Sequence, residues 1–131
     1  MNKEEKQNIE LAKNVMKNSY DPYSNFKVGA VLQTKNGKKY LGCNVANHGI
    51  QSICAERVAF VKAISEGEKE FEKIMIIGGK NEKNLQECLP CGYCRQFMSE
   101  FVDDNFKIQN FDGENLKEYD MKTILPYGFK M

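Results

Sequence analysis

Lys73-Ile74-Met75-Ile76-Ile77-Gly78-Gly79 is a short, unbroken apolar run. A strand with one wet face alternates apolar and polar residues, whereas a run without alternation is expected of a strand covered on both faces. The neighbouring sequence supplies the covers. Upstream, Cys54–Glu66 carries Val58, Ala59, Val61, Ala63 and Ile64 in a helical pattern, and Gly67 suits its C-terminal stop. The charged stretch 66–73, "EGEKEFEK", reads as a solvated connection into the strand. Downstream, a helix over 92–101 buries Phe97, Met98 and Phe101.

Farther out, residues 3–18 place Ile9, Ala12, Val15 and Met16 on one helical stripe, with Leu11 flanking it. Asp21-Pro22 breaks that helix. Phe26, Val28, Ala30 and Leu32 then alternate as a half-buried strand, and Asn36-Gly37 is a hairpin signal leading to a second strand from Tyr40 to Val45. "FKIQNF" (106–111) and "NLKEYD" (115–120) predict two more strands around Gly113, and "MKTILPYGFKM" a short helical turn. "NHGIQS" (47–52) and 80–88 read as loops. The order α-β-β-α-β-α-β-β predicts an α/β fold, a mixed sheet with helices on its faces. With no internal repeat or linker, residues 1–131 form a single domain.

Nineteen basic and 18 acidic residues leave a formal net charge of +1. No long Lys/Arg run is present to neutralise phosphates, so a nucleic acid polymer is not the expected partner; a small nucleoside remains compatible. No apolar run approaches the ~18 residues of a membrane-spanning helix. The opening "MNKEEKQNIE" lacks the apolar stretch of a secretory leader, so the expected location is cytoplasmic. There are five cysteines, at 43, 54, 88, 91 and 94. An odd count in a reducing compartment points to metal binding or catalysis rather than a disulfide framework.

Two segments carry the chemistry, Cys54-Ala55-Glu56-Arg57 and Pro90-Cys91-Gly92-Tyr93-Cys94-Arg95, and each opens a predicted helix. A helix N-terminus presents unpaired N–H groups and the positive end of the macrodipole, which lowers a thiol's pKa. Cys91 and Cys94, three apart, project from one face, and Cys54 supplies a third thiolate if the two helices pack side by side. Three thiolates on Zn²⁺ leave one tetrahedral position open, as in catalytic sites, and zinc so held acidifies water. Glu56 stands close enough to shuttle protons without being a ligand. Arg57 and the helix dipoles offset the sulfur charge. Two other readings stay open: a C-x-x-C redox pair, and a structural zinc site in which Cys43, Cys88 or His48 is the fourth ligand.

Cys-Ala-Glu followed, 34 residues after Glu56, by Pro-Cys-x-x-Cys resembles the zinc nucleoside deaminase signature. With "YSNFKVGAVL" (23–32), "GCNVAN" (42–47), "CAERVAFVKAISEG" (54–67), "PCGYCRQFMSEF" (90–101) and "ILPYGF" (124–129), the chain is similar over nearly its whole length to the small, homotetrameric, three-cysteine cytidine deaminases. That resemblance implies a three-layer α/β/α sandwich with a mixed five-stranded sheet. It implies zinc on Cys54, Cys91 and Cys94, Glu56 as proton shuttle, and Arg57 donating to the cysteine sulfurs. It further implies the N–H of Ala55 at the pyrimidine O2, Phe26 against the base, Asn44 on the ribose, and Phe129 reaching a neighbouring subunit's site in a homotetramer. The implied reaction is hydrolysis of cytidine or deoxycytidine to the uridine product and ammonia, in pyrimidine salvage.

The chain departs from the family in one loop. Asn-x-Glu-Asn is common where this sequence has Asn44-Val45-Ala46-Asn47, and the segment 48–53 is one residue shorter than usual. A lost carboxylate–hydroxyl hydrogen bond is worth ~1.5–3 kcal/mol unless His48 or Gln51 substitutes. Deaminases of nucleoside analogues such as blasticidin S also vary here, which makes a modified nucleoside the alternative substrate. A zinc-stabilised binding module is the alternative outside enzymes. Simpler readings stand beside the site assignments: Phe26 in the core, Asn44 as a turn-former, Cys43 as a small buried hydrophobe, Cys88 and His48 as loop residues, and Phe129 covering its own subunit.

Overall fold

The computed structural model describes all 131 residues, Met1–Met131. Along the chain run α1 (Lys3–Met16), β1 (Lys27–Thr34), β2 (Lys39–Cys43), α2 (Ala55–Ser65), β3 (Phe71–Asn81), β4 (Asn84–Gln86), α3 (Gly92–Ser99), β5 (Lys107–Phe111), β6 (Leu116–Tyr119) and α4 (Met121–Ile124). Five strands lie in the order β2-β1-β3-β5-β6. β3 and β5 are parallel and the other pairs antiparallel, which makes the sheet mixed. These are the five strands read from the sequence. A sixth, β4, folds back on the end of β3 within the segment expected to be loop. At three residues, with only Leu85 half-buried between exposed neighbours, it is too short to show a period.

β3 is covered on both faces, and this accounts for its unbroken apolar run. Ile74 and Ile76, with Ala30, Leu32 and Ile108, pack under Ala55, Ala59, Phe60 and Ala63 of α2 and Met98 of α3. Met75 and Ile77, with Val31 and Phe111, pack under Ile9, Ala12 and Met16 of α1. The result is a three-layer α/β/α sandwich in which α2 and α3 share one face. A parallel β3–β5 pair requires a crossover, and α3 lies within it.

Local chemistry sets the ends. Asn2 caps α1 in a capping box with Glu5. Gly67, at φ 93°, ends α2 as expected, and the next N–H, of Glu68, returns to the Ala63 carbonyl. The Asn36-Gly37 turn joins β1 to β2, with only Gly37 left-handed (φ 90°). That is a three-residue loop with a glycine bulge rather than a two-residue primed turn. The strand expected through Val45 stops at Cys43; Val45 instead makes isolated bridges to Tyr20 and Ile53. No helix is long and apolar enough to cross a membrane.

The distance between α2 and the sheet is set by a glycine. A Cβ on Gly42 of β2 would lie 2.4 Å from the Ala55 carbonyl oxygen and 2.7 Å from the Ala59 nitrogen. Only a residue without a side chain lets the first turn of α2 rest there. Gly42→Ala is expected to lower the unfolding free energy by about 1–3 kcal/mol, measured by urea denaturation, because backbone rather than a mobile side chain must move.

Candidate active site and metal centre

The residues singled out in the two helix-opening motifs come together at the adjacent N-termini of α2 and α3. Cys54 is the N-cap of α2, extended at φ −74°, ψ 154°, and its sulfur makes no capping bond, so it is free to serve elsewhere. Cys91 is the N-cap of α3, and its Sγ accepts the Cys94 N–H at 3.4 Å. The sulfurs of Cys54, Cys91 and Cys94 lie within 4.8 Å of one another, with Cys54 and Cys91 3.9 Å apart. Tetrahedral zinc with Zn–S bonds of ~2.3 Å has sulfur–sulfur edges of about 3.8 Å. The donor set therefore fits zinc in chemistry and in spacing. It is also too wide for a disulfide, and all five cysteines are free.

The possible fourth ligands lie elsewhere. None of Cys43, Cys88 and His48 belongs to the sulfur cluster. His48 is exposed, its ring 5.2 Å from that of Tyr23. A three-donor cluster without a fourth protein ligand has the stoichiometry of an open site rather than a closed structural one.

Charge within the cluster is unevenly held. The Cys54 thiol is lowered to about 5, first by a hydrogen bond from Cys94 and further by Arg57 and Cys91. Cys94, the donor in that pair, is pushed up in turn. Arg57 Nη2 approaches Cys54 Sγ at 3.8 Å and donates to the Ser52 carbonyl at 3.3 Å. Its guanidinium stacks on Tyr93, with Cζ 4.4 Å from the ring centroid, while its Nε is a buried donor without a partner. The cation is thus held beside the sulfurs from two sides.

Glu56 is only 4% exposed. Burial raises its carboxyl to about 7, and the charge on Cys54 adds to the effect. A carboxyl poised near neutrality beside a cluster of metal-binding sulfurs is suited to moving protons in either direction. Ala55, also fully buried, begins the first turn of α2, whose leading N–H groups have no helical acceptor.

Phe26, just before β1, meets Gly78 of β3, the neighbouring strand. Phe26 is half-buried, its ring edge over Gly78, and the Cys88 sulfur meets the same point: a Cβ on Gly78 would lie 2.5 Å from Cys88 Sγ and 3.0 Å from Phe26 Cε1. Cys88 is therefore packed against the core, its thiol raised to about 12 by burial, rather than an incidental loop residue. The pair of glycines ending the apolar run was the available sign of close approach. Asn44 braces the Phe26–Val28 backbone. Its Oδ1 accepts the Val28 N–H at 2.9 Å and its Nδ2 donates to the Phe26 carbonyl at 2.8 Å, leaving one amide hydrogen uncommitted.

Phe129 lies outside this cluster. Its side chain is 68% exposed, and its backbone is held at both N–H and C=O by Gln96 of α3. The 47–52 loop is ordered by Asn47, whose Nδ2 donates to Gln51 Oε1 and whose Oδ1 accepts the Gly49 N–H.

Residues 2–109 match the family model described as the cytidine and deoxycytidylate deaminase zinc-binding region. A Dictyostelium discoideum protein named "Probable cytidine deaminase" is 43% identical over 106 residues, 79% of this chain and 69% of its own. A cytidine deaminase of Sporosarcina psychrophila is 34% identical over 124 residues, 92% of this chain and 88% of its own. The crystal structure of a cytidine deaminase from Burkholderia pseudomallei superposes with a TM-score of 0.84 at 36% identity, covering 98% of this chain and all of that one. With the three-sulfur centre and the buried glutamate at its edge, these matches place the chain in the zinc-dependent cytidine and deoxycytidylate deaminase family.

Proposed function

We propose that the protein hydrolyses cytidine and deoxycytidine to the uridine products and ammonia, with Cys54, Cys91 and Cys94 holding zinc and Glu56 carrying protons. The observation that carries this reading is the buried Glu56 carboxyl, poised near neutrality, two residues from one of three clustered sulfurs. Zinc held there would supply a Lewis acid that eases loss of a proton from the attacking water near neutral pH.

The chain's own residues do the rest. Glu56 takes the proton of the attacking water and delivers it to N3 of the pyrimidine as the oxygen adds to C4. The same carboxylate then takes the proton of the C4 hydroxyl and passes it to the exocyclic amine. The amine leaves as ammonia and C4 becomes a carbonyl. Burial keeps bulk water from this exchange and holds the carboxyl near the pH at which it works. The Ala55 N–H orients the base through O2, Phe26 lies against the ring, and the remaining amide hydrogen of Asn44 faces the ribose. Arg57 balances the sulfur charge.

The exposed Phe129 ring supports a further part of the proposal: the chain works as a homotetramer in which this aromatic enters a neighbour's site. The setting is cytoplasmic pyrimidine salvage, a reading supported by five free thiols.

Three measurements check this. Glu56→Gln is expected to keep one zinc per chain by elemental analysis while kcat falls by roughly 10²–10⁴-fold; most of the activity surviving would remove the shuttle role. Ultraviolet absorbance loss is expected with cytidine and deoxycytidine in parallel. In the same panel, a higher kcat/KM for 5-substituted cytidines or blasticidin S would make the Ala46 loop the mark of an analogue deaminase. Light scattering is expected to give four times the 15.0 kDa chain mass, and a monomer would overturn the assembly.

A further inference from the structure

We infer that Arg95 is a positioning residue for the metal centre: it ties the turn that presents Cys91 to the C-terminal end of α4. The inference rests on the reading that the three sulfurs hold zinc. Arg95 Nε donates to the Pro90 carbonyl at 2.7 Å, and Nη1 donates to the Ile124 carbonyl at 2.7 Å. Its backbone N–H donates to the Cys91 carbonyl at 2.9 Å. One residue therefore holds the peptide on each side of Cys91.

Each partner needs what Arg95 gives. Pro90 is buried and has no N–H, so its carbonyl is its only backbone polar group, and leaving it unpaired would be costly. Ile124 ends α4, where carbonyls lack helical partners. The guanidinium is half-buried and forms no salt bridge. Its planar fork is directed at two carbonyls from separate parts of the chain, a geometry a lysine ammonium does not reproduce.

The consequence lies at Cys91, the most exposed of the three sulfur residues and one held by a turn rather than by the middle of a helix. Its sulfur direction follows the plane of the Pro90–Cys91 peptide, which Arg95 fixes against a tail segment that Gln96, the next residue, clasps at Phe129. Loosening the brace frees Cys91 to swing away and opens the centre to ligand exchange, as happens when groups that orient metal ligands are removed.

The test is zinc release from purified, zinc-loaded protein to a chromogenic chelator at 25 °C. Arg95→Ala and Arg95→Lys are each compared with wild type and with Val31→Ala. Val31 lies in β1 on the α1 face, away from the turn, and its truncation lowers thermal stability without touching the brace. Release about tenfold or more faster in both Arg95 variants, with Val31→Ala near the wild-type rate, is the expected result. Wild-type rates in Arg95→Lys, or equal acceleration in Val31→Ala at a matched melting temperature, would overturn the assignment. Wild-type protein that binds no zinc would overturn the metal reading itself, a separate outcome.

Discussion

The N-termini of α2 and α3 meet because both helices lie on one face of the sheet, packed over the apolar side chains that β3 sends to that face. Ile74 and Ile76 are buried under α2 and α3, while Met75 and Ile77 are buried under α1. Burying one face under a pair of helices brings Cys54 and Cys91, both N-caps, to within 3.9 Å of each other. The burial that stabilises the fold thus also builds the sulfur cluster, and Gly42 sets how closely the first turn of α2 approaches.

Concentrating three sulfurs is electrostatically costly, and several features of the site offset that cost. Two helix N-termini direct positive dipole ends toward the cluster. Arg57 adds a full charge, held by stacking on Tyr93 and by the Ser52 carbonyl. Glu56 answers the same field in the opposite way: a buried carboxyl near anionic sulfur keeps its proton to higher pH than it would in water. A carboxyl able to hold or release a proton near neutral pH is thus a product of its surroundings rather than of its residue type.

Much of the fold was legible because its signals are local or periodic. The unbroken apolar run at 73–79 and Gly67 as a helix stop each reflect constraints that act within a few residues. The alternation at 26–32 marked a strand but not its burial: β1 is covered on both faces, because α1 packs over Gly29 and Val31 on the side read as open. β4 gave no such sign, since its pairing depends on the chain turning back on β3. The metal motifs were legible for the same reason as the helices: Cys91 and Cys94 are three apart across one helix start. Cys88 was not, because its burial beside Gly78 and Phe26 is a contact between distant segments. The bracing role of Asn44 was not legible either, because its amide bonds the backbone of Phe26 and Val28, which precede it by 18 and 16 residues.

The sequence by itself determined which residue types could do chemistry and which elements would carry them. Short-range physics places Cys54 and Cys91 at helix starts and Glu56 two residues along from Cys54. Only the tertiary structure decided that three sulfurs share one centre, that Glu56 lies out of water, and that Arg95 joins the Cys91 turn to the far end of the chain. The physical reason is range. Helix propensity and capping act over a few residues, whereas sulfur–sulfur distance, desolvation and carbonyl bridging depend on layers packed from residues tens of positions apart.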